Sequence, residues 1–217
     1  MLKIGLGVPL YAGLYNEAVA SLLSLVEHTA RILPNCVLYP IITNREFLPR
    51  ARLKIVRQAK RLGCDFLFWY GEDIICEPDT IIKLIHYGRP VIGGLYLDRR
   101  PPYNPCVHKL AGNNTWMAYK LHELEDDMKV DAVGHDLTLF SKEVIEAIEP
   151  EAYIGVATME GDDLAFGRWA KKKGIDIYVS TKVTGKHISE KREVIMVSNV
   201  VDLKEYLRKK STWTKGD

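Results

Sequence analysis

The first 96 residues alternate between short apolar runs and longer segments in which apolar residues recur with helical spacing. The apolar runs, which we predict to be strands, are residues 2–8, 37–43, 65–70 and 90–96, and helical spacing covers residues 18–33, 50–62 and 78–86. Short apolar runs are typical of strands buried on both faces, and a helix between two such strands makes them parallel. The pattern therefore predicts an α/β fold with a mostly parallel sheet flanked by helices.

The pattern becomes less regular after Tyr96. Residues 98–105 contain three prolines and three charged residues, which favour a loop, and a loop in this position is a candidate lid. Further strands are predicted at residues 115–121, 130–140 and 176–179, and further helices at residues 141–148, 162–173 and 202–210.

Composition limits the organisation and the class of the protein. The chain has 217 residues and no stretch with the composition of a linker, so we expect one domain over residues 1–217. A net charge of +2 is too small to indicate a nucleic-acid partner. The N-terminus shows neither a signal peptide nor a transmembrane segment, which predicts a cytoplasmic protein. The cysteines lack CxxC spacing. The chain has a single glutamine, Gln58, beside abundant Lys and Glu, and this bias is typical of thermophile proteins.

Two pairs of adjacent carboxylates are candidates for chemistry. Glu72 and Asp73 directly follow the buried run DFLFWY, and groups at the carboxyl ends of such strands face the ligand crevice of open α/β sheets. Asp162 and Asp163 begin a predicted helix, where a carboxylate can cap the helix or take part in catalysis. A third acidic run, at residues 125–127, lies in a polar connection and is interpreted as solvated surface.

Several motifs occur in an informative order. The basic segment RARLKIVRQAKRL precedes DFLFWYGED, and a proline, a helix and a run ending in Gly-Gly-Leu-Tyr follow; the second half contains VDAVGHDLTLF, MEGDDLAFGRWA and GKHI. Over about residues 3–188 this order resembles glycosyltransferases with the GT-A fold, particularly small family-two-like members. The resemblance implies a single GT-A-like (Rossmann-like) domain with a nucleotide-sugar half (1–96), an acceptor half (97–190) and a C-terminal tail (191–217).

The resemblance also implies a metal site. The last carboxylate of the family's Asp-x-Asp motif binds the metal, so Asp73 is expected to bind Mn²⁺ or Mg²⁺, with His187 completing the site. Gly71 stands where the motif has its first Asp, and Glu72 takes the middle position. Because Gly71 removes one carboxylate, we expect weak metal binding without nucleotide.

The implied reaction moves a sugar from a UDP- or GDP-sugar to a hydroxyl acceptor with inversion. In inverting members the second residue of the late acidic pair is the general base, which corresponds to Asp163, and the first orients the acceptor, which corresponds to Asp162.

The remaining positions of the expected donor site come from the same resemblance. Pro9 and Tyr11 follow the first strand and are expected to flank the nucleobase, while Arg52 is expected to reach the diphosphate. Glu72, Gly94 and Tyr96 are assigned to this site as parts of the strand-end motifs. A dinucleotide site is not expected, because Leu10 stands where the glycine fingerprint requires its third glycine.

Two other functions are compatible with these motifs. One is a nucleotidyltransferase of related architecture. The sequence lacks a glycine-rich basic phosphate loop after the first strand, which argues against this function. The other is a protein that binds a nucleotide sugar without turning it over, an alternative that rests on Gly71.

Overall fold

The computed structural model describes residues 1–153, 160–189, 191 and 193–197. In chain order the elements are β1 (Leu2–Leu10), α1 (Asn16–Ile32), β2 (Cys36–Asn44), α2 (Leu48–Leu62), β3 (Phe66–Tyr70), β4 (Ile74–Cys76), α3 (Thr80–His86), β5 (Val91–Leu95), β6 (Val107–Leu110), β7 (Trp116–Ala118), β8 (Met128–Val130), β9 (Ala132–Val133), β10 (Leu137–Ser141), α4 (Lys142–Ala147), α5 (Asp162–Lys173), β11 (Ile177–Ile188) and β12 (Val194–Ile195). Short 3-10 helices lie at Leu121–Glu123 and Pro150–Ala152.

The main sheet has the strand order β12-β11-β5-β10-β3-β1-β2, and β4 and β8 also pair with β11. Strand β1 is parallel to β2 and to β3, and β5 is parallel to β11. Strand β10 lies between β3 and β5 and runs antiparallel to both. The predicted α/β fold with a mostly parallel, helix-flanked sheet is therefore confirmed, with one antiparallel strand inside it. A smaller sheet has the order β7-β6-β9.

Strand β3 shows why helices cover both faces of the sheet. Leu67 and Trp69 pack with residues of α2, α4 and α5, whereas Phe68 and Tyr70 pack with residues of α1 and α3. All four side chains are fully buried. Because successive side chains of a strand point to opposite faces, a continuous apolar run requires an apolar layer on each side.

The structure differs from the predicted elements at several points. The predicted strand at 176–179 is only the start of β11, which continues through a register shift to pair with β4. The predicted strand at 130–140 is divided into β8, β9 and β10, and β4 itself was not predicted. The predicted helix at 202–210 lies outside the described residues. The polar residues between Ser180 and His187 concealed the length of β11, because that part of the strand has alternating rather than continuous burial.

Within the described ranges, no helix combines the length and the apolar character needed to cross a bilayer.

Candidate functional site

A cleft of about 500 Å³ opens at the edge of the sheet where β1 and β3 end. Strand β10 runs antiparallel to β3, so its N-terminal end lies at the same edge, and the first turn of α5 also reaches the cleft. Residues from distant parts of the chain therefore meet here, as expected at the carboxyl ends of strands in an open α/β sheet. The lining residues are Pro9, Leu10, Tyr11, Glu46, Phe47, Leu48, Ala51, Glu72, Asp73, Tyr96, Asp98, Arg99, Arg100, Cys106, Asp136, Asp163 and His187.

Asp73, Asp136 and His187 form a cluster within this cleft. Each offers one ligand atom, and these atoms all lie within 4.8 Å of one another. Asp73 follows β3, Asp136 precedes β10, and His187 is brought close by the pairing of β11 with β4. Two carboxylates and an imidazole are a donor set that suits Mn²⁺, and the carboxylates also suit Mg²⁺. The cluster therefore fits a divalent cation, and it contains both of the ligands expected from the sequence.

Hydrogen bonds orient the ligand atoms of this cluster. The Nδ1 atom of His187 donates to the carbonyl oxygen of Leu97 at 2.8 Å, and its Nε2 atom lies 3.3 Å from Oδ2 of Asp73. Arg99 donates from Nη1 to the same oxygen of Asp73. Burial disfavours the charged forms of Asp73 and His187, but their mutual contact outweighs burial, so the pKa of Asp73 is lowered and the pKa of His187 is raised. Asp73 thus lies between the imidazole of His187 and the guanidinium of Arg99.

Asp136 occupies the space that a side chain at Gly71 would need. A β-carbon at position 71 would lie 2.6 Å from Cβ and 2.7 Å from Cγ of Asp136. The backbone N–H of Gly71 donates to the carbonyl oxygen of Asp136 at 3.0 Å, and the next residue, Leu137, pairs with Tyr70. The space beside position 71 is therefore filled by the carboxylate of Asp136, the residue that precedes β10.

Arg52 connects this cluster to the start of α5. Its side chain is 3% exposed, its Nη2 atom lies 3.4 Å from Oδ1 of Asp136, and its Nε donates to Oδ2 of Asp162. The guanidinium carbon lies 4.9 Å from the centroid of the Trp69 ring. Burial lowers the pKa of Arg52, but the charges of Asp162 and Asp136 outweigh it and raise the pKa, so this side chain is a permanent cation. Arg52 and Asp162 are not among the described residues that line the cleft.

Asp163 lines the cleft from the first turn of α5. The N-cap residue is Gly161, so neither aspartate of the pair takes that position, and Oδ1 of Asp163 accepts from the N–H of Leu164 at 2.9 Å. Burial, followed by the charge of Asp162, raises the pKa of Asp163 to about 7. A carboxylate with such a pKa can accept a proton near neutral pH.

Glu72 fixes the loop that follows β1. Its Oε2 atom accepts from the backbone N–H groups of Tyr11 at 2.8 Å, Ala12 at 3.1 Å and Gly13 at 3.1 Å. The side chain of Tyr11 is 72% exposed, and both it and Pro9 line the cleft. Three amides are thus bound by a carboxylate of the chain itself, which shapes this side of the cleft.

Tyr96 and Gly94 lie in different surroundings. The hydroxyl of Tyr96 accepts from the N–H of Asp136 at 3.3 Å, and its ring stands edge-on to His187 with centroids 5.5 Å apart. Gly94 lies inside β5, where a β-carbon would be 2.6 Å from Cδ2 of Leu137. Tyr96 therefore supports the cluster directly, whereas the missing side chain of Gly94 allows close packing of β5 against β10.

Sequence reasoning missed Asp136 and Arg99. The signal for Asp136 was present in VGHDLTLF, where two polar residues interrupt an apolar run immediately before a strand. The first of them, His135, is buried, with its ring centroid 5.0 Å from that of Phe166, whereas Asp136 lines the cleft. Arg99 belongs to the proline-rich loop, and nothing in its sequence distinguishes it from its neighbour Arg100.

Comparisons with known proteins bear on the fold alone. No protein-family model and no curated protein matches the chain. The structure is similar to that of A197 from STIV, with a TM-score of 0.59 and 17% identity, covering 90% of this chain and 94% of the other. It is also similar to 4-diphosphocytidyl-2C-methyl-D-erythritol synthase from Anaerococcus prevotii DSM 20548, with a TM-score of 0.50 and 10% identity, covering 95% of this chain and 99% of the other. The fold is thus one that a nucleotide-handling enzyme also uses.

Proposed function

We propose that this protein transfers a glycosyl group from a nucleoside-diphosphate sugar to a hydroxyl acceptor, with inversion. The observation that carries the proposal is the presence, in one cleft, of a carboxylate with a pKa of about 7 and a cluster that fits a divalent cation. Inverting transfer requires both functions at once, since a hydroxyl must lose its proton while a diphosphate departs.

Asp163 is the proposed general base. It lines the cleft, and at neutral pH a substantial fraction of its carboxyl groups is ionised, because its pKa is about 7. A base with a pKa near the working pH is ionised in a substantial fraction of the molecules and is still strong enough to take a proton from the hydroxyl. Asp162, which is bound by Arg52, maintains the negative charge that contributes to this pKa and orients the first turn of α5. We therefore assign Asp162 to positioning and Asp163 to proton transfer.

The departing diphosphate is proposed to meet the cluster of Asp73, Asp136 and His187. A bound Mn²⁺ or Mg²⁺ would neutralise the charge that develops on the leaving group. Arg99 lies on the same side of the cleft and adds a permanent positive charge next to Asp73. Arg52 contacts Asp136 but is not among the described residues that line the cleft. We therefore assign Arg52 to positioning the cluster rather than to contacting the diphosphate.

The nucleoside is proposed to lie near Pro9 and Tyr11, in the part of the cleft that Glu72 shapes. The exposed ring of Tyr11 offers a face for stacking on a base, and the amides of residues 11–13 are already occupied by Glu72. Nucleotidyl transfer requires a site for a triphosphate, so the occupied amides favour glycosyl transfer. Nucleotidyl transfer is the second candidate because the shared fold supports it. Binding of a nucleotide sugar without turnover is the third candidate.

Product analysis separates these candidates. The protein is incubated with Mn²⁺ and either a panel of UDP- and GDP-sugars or the four nucleoside triphosphates, and released nucleoside diphosphate and pyrophosphate are measured. Glycosyl transfer, or slow donor hydrolysis, releases the diphosphate, and Asp163→Asn should reduce this rate by about 10²–10⁴. Glu125→Gln, which changes an exposed carboxylate, is the matched control. Release of pyrophosphate would favour nucleotidyl transfer, and nucleotide binding without any product would favour the binding protein.

A further inference from the structure

The positive charge of this chain is concentrated around one helix. Residues 45–61 contain seven basic side chains and one acidic side chain, a net charge of +6, whereas the whole chain carries +2. The rest of the chain therefore carries −4. Arg52 turns inward to Asp136 and Asp162, but the other basic side chains of this segment are exposed or half-buried.

Four of these side chains share one face of α2. Arg50, Lys54, Arg57 and Arg61 are spaced by four, three and four residues, which places them in a stripe about 16 Å long along the helix. All four are exposed, and helix α2 itself contains no acidic residue. Lys54 pairs with Glu46, but in the described part of the chain Arg50, Arg57 and Arg61 make no ion pair. Three of the four cations of the stripe therefore have no acidic partner among the described residues and can meet an external anion.

Large apolar side chains lie at the N-terminal end of this stripe. Phe47 is 76% exposed, Leu48 is 38% exposed, and both line the rim of the cleft. Exposed aromatic and aliphatic side chains beside a row of cations are the combination that binds the interface of an anionic bilayer, since the rings enter the headgroup region while the cations contact lipid phosphates.

We propose that α2 and this rim dock on an anionic phospholipid membrane, with the mouth of the cleft facing the bilayer. The straight stripe lies on the convex surface of a helix, and the apolar side chains are clustered at one end of it. This arrangement suits a flat lipid surface better than a nucleic-acid strand, for which cations and stacking rings alternate along a groove. The proposal concerns a surface outside the cation-binding cluster and does not depend on the transfer reaction.

Flotation of the full chain with lipid vesicles tests the proposal. Binding is measured to vesicles of phosphatidylcholine alone and of phosphatidylcholine mixed with phosphatidylglycerol, at low and high salt. We expect binding to the mixed vesicles only, weakened by salt, and a loss of about a hundredfold in partitioning for the triple variant Arg50→Gln, Arg57→Gln, Arg61→Gln. At high salt, Phe47→Ser should partition more weakly than the wild type, because apolar insertion dominates binding when salt screens the charges.

The control is the triple variant Arg31→Gln, Lys172→Gln, Lys173→Gln, which removes the same charge from exposed positions elsewhere. Thermal melting of each variant shows whether it is folded. Equal binding of both triple variants, or no binding of the wild type to mixed vesicles, would overturn the proposal. Binding of single-stranded RNA that is lost in the α2 variant, without vesicle binding, would also overturn it and assign the surface to nucleic acid. Nucleotide affinity measured in parallel reports on the transfer site separately.

Discussion

Substitution of Gly71 by alanine should disturb the cluster of Asp73, Asp136 and His187 without changing any of its three side chains. The new β-carbon would lie 2.6 Å from Cβ of Asp136, closer than non-bonded carbon atoms approach. Asp136 cannot easily move away, because its carbonyl oxygen is hydrogen-bonded to the N–H of residue 71 and the next residue pairs within the sheet. We therefore expect displacement of the Asp136 carboxylate together with a cost in stability.

The magnitude follows from the cost of overpacking a close contact. Inserting one methyl group into such a site costs about 1–3 kcal/mol, which for a chain of this size lowers the melting temperature by about 2–4 °C for each kcal/mol. Thermal melting measures the loss, and titration with Mn²⁺ should show weaker metal binding than in the wild type. Gly112→Ala is the control, since a β-carbon at position 112 would have no neighbouring atom within 4 Å.

An exchange of the two side chains provides a stricter test of the same reasoning. Gly71→Asp alone should be more damaging than Gly71→Ala, because it introduces a second carboxylate into occupied space. Combining Gly71→Asp with Asp136→Gly removes the clash and returns one carboxylate to the cluster from the residue that follows β3. The double variant should therefore recover stability and part of the metal binding lost in Gly71→Asp. If Gly71→Ala leaves the melting temperature and metal binding unchanged, or if the double variant is no better than Gly71→Asp, the assigned role of Asp136 is wrong.

Three further predictions concern the charges around the cleft. Arg52→Leu leaves Asp162 and Asp136 without their buried cation and should destabilise the protein by about 3–5 kcal/mol in chemical denaturation. Arg52→Lys should retain part of this stability. Equal effects of the two substitutions would show that only packing on Trp69 matters. Since folding raises the pKa of Asp163 from 3.8 to about 7, the free energy of unfolding should decrease as pH rises between these values, and Asp163→Asn should remove that part of the slope in pH-dependent melts. Glu72→Ala removes the acceptor of three amides, so residues 11–13 should exchange their amide hydrogens faster, while unchanged exchange would show that the loop is held by other contacts.

The sheet was predictable because each of its central strands is a continuous apolar run between helical segments. Burial on both faces leaves a strong signal of this kind, and residues 65–70 show it most clearly, since β3 has apolar layers on both sides. Strand β11 lacked this signal beyond residue 179. Its extension is held by pairing with β4, a three-residue strand too short to be recognised by periodicity.

The candidate site was predictable where chemistry follows a strand directly. Asp73 could be found in this way because it comes shortly after β3, and Asp163 could be found because it stands in the first turn of a helix with a clear pattern. Asp136 could not be placed, since its contact with Gly71 depends on β10 entering the sheet antiparallel between β3 and β5. The inward orientation of Arg52 was equally hidden, because a basic residue in a basic helix resembles its exposed neighbours until Asp136 and Asp162 are placed beside it.

Linkage between metal and nucleotide tests the central claim most directly. Calorimetric titration of UDP and GDP into the wild type, in EDTA and then with Mn²⁺, gives the nucleotide affinity in each condition, and Asp73→Asn provides the comparison. We predict that Mn²⁺ tightens nucleotide binding in the wild type, that nucleotide tightens Mn²⁺ binding by the same factor, and that both effects disappear in Asp73→Asn. Nucleotide affinity that is equal with and without Mn²⁺, in the wild type and in Asp73→Asn, would contradict a metal-assisted diphosphate site at Asp73, Asp136 and His187.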